Sequence, residues 1–549
     1  MRSLSLEHPP ADWVLMNGKV ATVDGAFSIR EAVAIKGGRF VAVGGDGEMR
    51  RWTGPRTRIV NLGGRTVIPG LIDSHMHLTA TGLSWEAALR WEFIGSLAEG
   101  LRRIAAAAAE KPMGSWIVVG GGWTATQFSE GRIPTRWELD SVAPKHPVYV
   151  QYLKRGAILN SAALAAAGID RHTPDPPGGE FARDPKTGEL TGALYGVPVW
   201  QNVYNKIPSP ALDKVRQNLL RCFRELHRLG LTSVGDIQSA GVNFAHRRLL
   251  ADMARTGELT LRIRYFVTAE APDDELGELR RLAAEVKQLP QNDMFRFAGF
   301  AEILHRGIGI QDEASKQKGV PLEAKANLRQ LAGFLARSGY SFRLQPTRYY
   351  TAAQLLDVLE ELHREISLTD RRIALSHMAE ATVGTVQRIT KLGGGVVVLD
   401  DVILTGDQPP EPWEQAKAGN ALPLRAMLNA GLAVGAGTDA FLAGNYSPMA
   451  ALWWLITGKT MAGAPIRDQS QNLTREQALR IYTMGSAWLT SDEGRKGSIE
   501  VGKLADLAVL DGDYLTIPEE RIRSLQSVLT MVGGRVVYAA RPFAQLEAR

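Results

Sequence analysis

The feature that most constrains this fold is an alternation. "ALDKVRQNLLRCFRELHRLG" sets Leu212, Val215, Leu219, Phe223, Leu226 and Leu229 at helical spacing, with Gly230 as a stop, and "LTSVGDI" follows as a short buried strand. Further strand candidates are "LRIRYFVTA", "FRFAGFAEIL", "YSFRLQ", "RIALSHM", "GGVVVLD" and "GLAVGAGTDA". Helical stretches such as "TAAQLLDVLEELHREI" separate several of them. Aliphatic strands alternating with helices predict an α/β chain with a parallel sheet. About eight such units favour a closed (β/α)8, TIM-like barrel over an open sheet.

At 549 residues the chain is long enough for more than one domain. Both ends are β-rich. Residues from about 11 to 68 include "WVLMNGKVATV", with an Asn17-Gly18 turn, and "AVAIKGGRFVAVGG", with Gly37-Gly38; both are hairpin signals. The C-terminal end repeats the style in "ADLAVLDGD" and "VLTMVGGRVVYAA", the latter with a Gly533-Gly534 turn. Residues 1–68 plus 486–549 are therefore expected to form a small composite β-sandwich built from both termini, and 69–485 the barrel. Residues from about 110 to 210 interrupt the alternation with "HTPDPPGGEFARDPKTGEL", an insertion after the first barrel strand that could cover the barrel mouth as a lid.

Several classes of function drop out on composition. The net charge of +6 is spread along the chain without a dense Lys/Arg block, so no nucleic-acid partner is expected. The one cysteine, Cys222, excludes an intramolecular disulfide and a thiolate metal cluster. There is no apolar run of about 18 residues, so no membrane span is expected. "MRSLSLEHPPADW" lacks an apolar signal region, which makes the cytoplasm the expected location. A small molecule is the expected partner, and a homo-oligomer stays open.

The chemistry concentrates at strand ends. In "GLIDSHMHL", positions two apart on a strand face one side, so Asp73, His75 and His77 share a face. At the C-terminal end of a barrel strand that face meets the mouth, where such barrels hold their sites. Two imidazoles converging there suit a divalent metal, with Asp73 placed to support a ligand. A chance H-x-H on a half-buried strand is the plain alternative. "GLAVGAGTDA" brings Asp439 to another strand end, where a carboxylate can ligate a metal or carry a proton. Helix capping is its plain alternative. His377 ends the apolar strand in "RIALSHM".

With these residues in view, "VIPGLIDSHMHL", "ALSHM", "AVGAGTDA" and "GSIEVGKLADLAVLDGD" resemble the amidohydrolase superfamily. "GGGWTATQFSEGRIPTRWELDSVAPKHPVYV", "LNSAAL" and "SPMAALWWLITGKT" are similar to its YtcJ-like branch, amidohydrolase family 3. The resemblance implies a barrel with a composite β-sandwich, and hydrolysis of a C–N bond in a small amide-like compound by metal-activated water. It places His75, His77 and His377 among the metal ligands and Asp439 as the last-strand acid/base and ligand. The implied cofactor is a divalent metal, zinc before others, as one or two ions.

Two positions depart from that pattern. Many relatives carry a bridging lysine on the strand matching "FRFAGFAEILHRG"; here Glu302 is the nearest candidate to replace it as a metal ligand. Where a histidine ligand usually ends the strand matching "GYSFRLQPT", this chain has Gln345, a weaker partner for zinc than imidazole. A mononuclear site, a harder ion or an inactive, ligand-binding relative all stay open. A lyase or deaminase on the same framework stays open too. Gln345, Trp123, Arg155 and Arg348 are candidate substrate contacts, and Arg343 or Arg348 could meet an anionic group.

Overall fold

The computed structural model of the chain describes residues 9–547, apart from 86–87, 93, 154–155, 177, 240, 271–273, 306–318, 347–348, 379, 406–421 and 442–443. It is a mixed α/β molecule with two four-stranded parallel sheets at its centre. Strands β1 (Leu71–Met76), β2 (Leu231–Ile237), β3 (Arg262–Val267) and β4 (Phe295–Phe300) pair in that order. Strands β5 (Arg343–Leu344), β6 (Ala374–Leu375), β7 (Gly395–Leu399) and β8 (Ala433–Gly437) form the second sheet. The sheets adjoin at both edges. Phe300 and Phe342 make a parallel bridge beside β4 and β5. Beyond β8, the Asp439 N–H donates to the His75 carbonyl at 2.9 Å, and the His77 N–H donates to the Ala440 carbonyl at 2.7 Å.

Helices follow from apolar rows three and four residues apart. Leu212–Arg228 buries Val215, Leu219, Cys222, Phe223 and Leu226 on one face. Gly230, at φ +82°, lets the chain turn directly into β2. No helix among the described residues is long and apolar enough to cross a membrane.

Strands from both ends of the chain share a sheet. Thr66–Pro69 pairs antiparallel with Leu507–Leu510, which pairs in turn with Ser527–Val532. Ser527–Val532 and Arg535–Ala539 form the hairpin expected at Gly533-Gly534, and Ala32–Lys36 with Arg39–Gly44 that expected at Gly37-Gly38. Trp13, Leu15, Val33, Val67, Leu507, Val509 and Leu529 pack into one core.

Asn17-Gly18 is a correction to the sequence reading, because it turns the chain without making a hairpin. Trp13–Met16 runs parallel to Arg58–Asn61 in one sheet, while Lys19–Ala21 runs parallel to Thr66–Pro69 in another. The long-range partner changes sheet at the same level, and the Asn17 side-chain amide donates to Asn61 across the crossing at 2.8 Å.

The interruption after β1 holds a sheet of its own, of six strands, running from Ala88–Leu89 to Leu190–Tyr195. It starts earlier than the expected 110, because Ala88–Leu89 pairs parallel with Ile117–Val119. That strand is only two residues long, too short to leave a periodic signal.

Candidate active site

The strand ends assemble the site. Asp73, expected to support a ligand, stands on β1 beside His75. Its carboxylate accepts from the His75 N–H at 2.9 Å and the Thr438 hydroxyl at 2.6 Å, and so ties β1 to the turn after β8. Gly437 is required at this crossing, since a Cβ there would lie 2.7 Å from the His75 backbone nitrogen. His377 and Asp439 both hold left-handed backbone, at φ +55° and +53°. Such a conformation costs about 1–3 kcal/mol in a non-glycine residue and clusters at functional sites.

Five of the predicted side chains converge. His75 Nε2 lies 3.3 Å from Asp439 Oδ1 and 3.4 Å from Glu302 Oε2. His77 Nε2 lies 3.0 Å from the same Asp439 oxygen, and His377 Nε2 3.5 Å from the same Glu302 oxygen. Two overlapping triads, His75–His77–Glu302 and His75–His377–Asp439, each keep their donor atoms within 4.8 Å of one another. Neighbours hold these groups in place. His77 Nδ1 sits 3.0 Å from the Ile237 carbonyl, which leaves Nε2 facing the cluster. The Ser376 hydroxyl donates to Glu302 Oε2 at 3.0 Å.

The donor set fits a divalent ion. Both ring nitrogens of His75, and Nε2 of His377, are buried with no hydrogen-bond partner among the described residues. Leaving a buried nitrogen unpaired costs about 1–3 kcal/mol each, so such atoms call for a ligand. Electrostatics agree with the distances. Burial pushes the His75 ring below the ordinary imidazole range, the neutral form a metal needs, against the pull of Glu302. Burial would raise Glu302, but His75 and His377 hold its carboxyl far below its usual range. Burial lifts Asp73 to about 7 despite its hydrogen bonds to Thr438.

Other predicted residues lie elsewhere. Trp123 is corrected: its ring is fully buried, stacks on Phe128 at 5.3 Å and donates Nε1–H to the Gln151 carbonyl at 2.9 Å. It fills a core where it was expected to meet substrate. Arg343 does not reach a mouth either. Its guanidinium is buried at 4.0 Å over the Phe266 ring and donates to the Ser74 carbonyl at 2.6 Å. Gln345 is buried beside Glu302, and its amide oxygen has no hydrogen-bond partner among the described residues. Arg155 and Arg348 lie outside the described residues.

One residue was missed. Asp400 follows β7 and is buried, with neither carboxylate oxygen hydrogen-bonded among the described residues. Burial, reinforced by Asp73, holds its carboxyl well above the usual range. "GGVVVLD" ends in this aspartate, so the strand-end rule that found Asp439 would have found it too.

A cleft opens beside His77. One wall comes from the extra sheet, through Val118, Tyr149 and Gln151, and another from Thr81, Ser239 and Phe441.

The comparisons agree with this geometry. The model of the amidohydrolase family matches residues 58–538. The N-substituted formamide deformylase of Arthrobacter pascens is 30% identical over 96% of this chain and 98% of its own length. The putative amidohydrolase YtcJ of Bacillus subtilis is 25% identical over 92% of this chain and 96% of its own. The crystal structure of an uncharacterized metal-dependent hydrolase from Pyrococcus horikoshii superposes with a TM-score of 0.67 at 20% identity, over 92% of this chain and 99% of that one. This chain belongs to the amidohydrolase family and is a hydrolase of carbon–nitrogen bonds.

Proposed function

We propose that this chain hydrolyses a C–N bond in a small amide-like molecule, with a divalent ion held by His75, His77, Glu302, His377 and Asp439. In this reading the two parallel sheets are one (β/α)8 barrel, and the sheets shared by the two termini are one composite β-sandwich. The observation that carries the proposal is the set of buried, unpartnered imidazole nitrogens of His75 and His377 facing two carboxylates. Mixed nitrogen and oxygen donors in these triads suit zinc, as one ion or two. A bound ion would polarise the scissile carbonyl and acidify water.

The chain's own residues supply the rest. Asp439 takes the proton from the attacking water and returns it to the leaving nitrogen as the C–N bond breaks, giving a carboxylic acid and an amine. Ser376 keeps Glu302 oriented, and the Ile237 carbonyl keeps His77 in one tautomer. Gln345 either ligates or recognises substrate through its buried amide oxygen. Removal of a formyl group from N-substituted formamides is the first reaction to try, given the deformylase relative. Elemental analysis of protein purified without chelator, with an anomalous-scattering map, tests the ion. Protein that holds no ion at His75 and hydrolyses no amide in the presence of added zinc would refute the reading.

A further inference from the structure

Among the described residues, the lining of the cleft beside His77 has one formal cation, Arg90, and no carboxylate. Tyr149, Trp200, Tyr204 and Phe441 give it aromatic walls. The Arg90 guanidinium is held in place by rings, lying 4.7 Å over Trp85 and 4.9 Å over Phe441. The chain leaves room for it: a Cβ at Gly120 would stand 3.0 Å from Arg90 Nη1.

Among the described residues, Arg90 has no counter-ion at bonding distance. The carboxylate recorded beside it, Glu92 Oε1, is 3.9 Å from Nη1. A charge-assisted hydrogen bond would bring the two to about 2.7–2.9 Å. Neither Glu92 oxygen, nor Arg90 Nε or Nη2, has a hydrogen-bond partner among the described residues. Burial also lifts the Glu92 carboxyl to about 7, so near neutral pH it offsets the guanidinium only in part.

We infer that this cleft takes an amide whose aromatic or apolar body carries a carboxylate, and that Arg90 is the residue that recognises that carboxylate. A carboxylate in the cleft would accept a charge-assisted hydrogen bond from Nη1, since Nε and Nη2 are sealed off, and the stacked setting of the guanidinium means little order is lost on pairing. The inference rests on the hydrolase reading for the word amide, but the anion site stands or falls by itself.

The test uses probes without a C–N bond, so binding is read whether or not the enzyme turns over. Calorimetric titration of the purified full-length protein with 4-phenylbutyrate and 4-phenylbutanol should show the carboxylate binding at least about tenfold tighter. In Arg90→Met the preference should fall to within about twofold, and Arg90→Lys, which keeps charge but loses the ring-stacked guanidinium, should fall between. Three results overturn the inference: no preference in the wild type, binding of neither probe, or a preference that survives Arg90→Met because the carboxylate sits on an ion instead. Should Arg90→Met fail to fold, Arg90→Lys with an undiminished preference overturns it equally. If the preference follows Arg90 but no amide is hydrolysed, the anion site holds and the hydrolase reading fails. Hydrolysis without the preference means the reverse.

Discussion

The two ends of the parallel strands both bury charge, and they treat it in opposite ways. Around β3 and β4, away from the histidines, the buried charges of Arg262 and Arg264 have partners. Arg262 donates to both Asp506 oxygens at 2.7 and 2.9 Å, and Arg264 donates to Asp492 at 2.6 Å. Arg296 reaches Asp492 at 2.8 Å, and the Lys496 ammonium lies 3.1 Å from it. At the C-terminal ends, His75 and His377 point buried nitrogens at carboxylates without making a hydrogen bond. Satisfied buried charge holds pieces of chain together, whereas unsatisfied buried nitrogen marks a place kept for something else.

That contrast can be broken or sharpened by substitution. The largest effect is expected at His75. His75→Ala should lower metal affinity by more than about 100-fold, beyond the usual loss for a supporting partner, and abolish turnover with it. Full metal content by elemental analysis would place the ion elsewhere.

Asp439→Asn keeps size but cannot accept a proton. Its kcat should drop by about two to four orders of magnitude. Steady-state rates within a factor of two of wild type would remove Asp439 from the proton path.

Asp506→Ala probes the opposite end. It strands the Arg262 charge and should destabilise the fold by about 3–5 kcal/mol, read by denaturant titration, with metal content unchanged. Burial would raise the Asp506 carboxyl, yet Arg262 holds it below its ordinary value. A carboxyl depressed in the folded state contributes stability above its unfolded pKa and loses that contribution as pH falls through the folded value. The wild type should therefore lose stability in acid over a range where Asp506→Ala changes less. Equal acid sensitivity in the two proteins would show that the pair is not what the acid breaks.

The smallest effect is expected at Gln345. Gln345→His offers a better zinc ligand and should tighten metal binding by about tenfold, measured against a chromogenic chelator. No change would reassign its amide to substrate, where it can both donate and accept.

Much of the site was readable before the fold. The spacing of His75 and His77 predicts a shared face, and both rings do reach one Asp439 oxygen. His377 and Asp439 stand at the ends of apolar runs, where strand-end chemistry is expected. Trp123 was misread because an aromatic in a glycine-rich stretch looks alike whether it lines a cleft or fills a core. Arg343 was misread because two residues of strand cannot say which way a side chain turns. Arg90 gave no signal, since its role depends on rings at Trp85 and Phe441, far apart in the chain.

By itself the sequence determined local matters: the longer strands and helices, which strand residues share a face, and where glycine lets the chain turn. These follow from periodicities of two and 3.6 and from backbone sterics, which act over a few residues. Only the tertiary structure decided the pairings. It sent the two sides of Asn17-Gly18 into different sheets, and it gave Arg262 a carboxylate from Asp506 while leaving His75 with none bonded. Whether a buried polar group is satisfied depends on what arrives from hundreds of residues away, and no local pattern encodes that arrival.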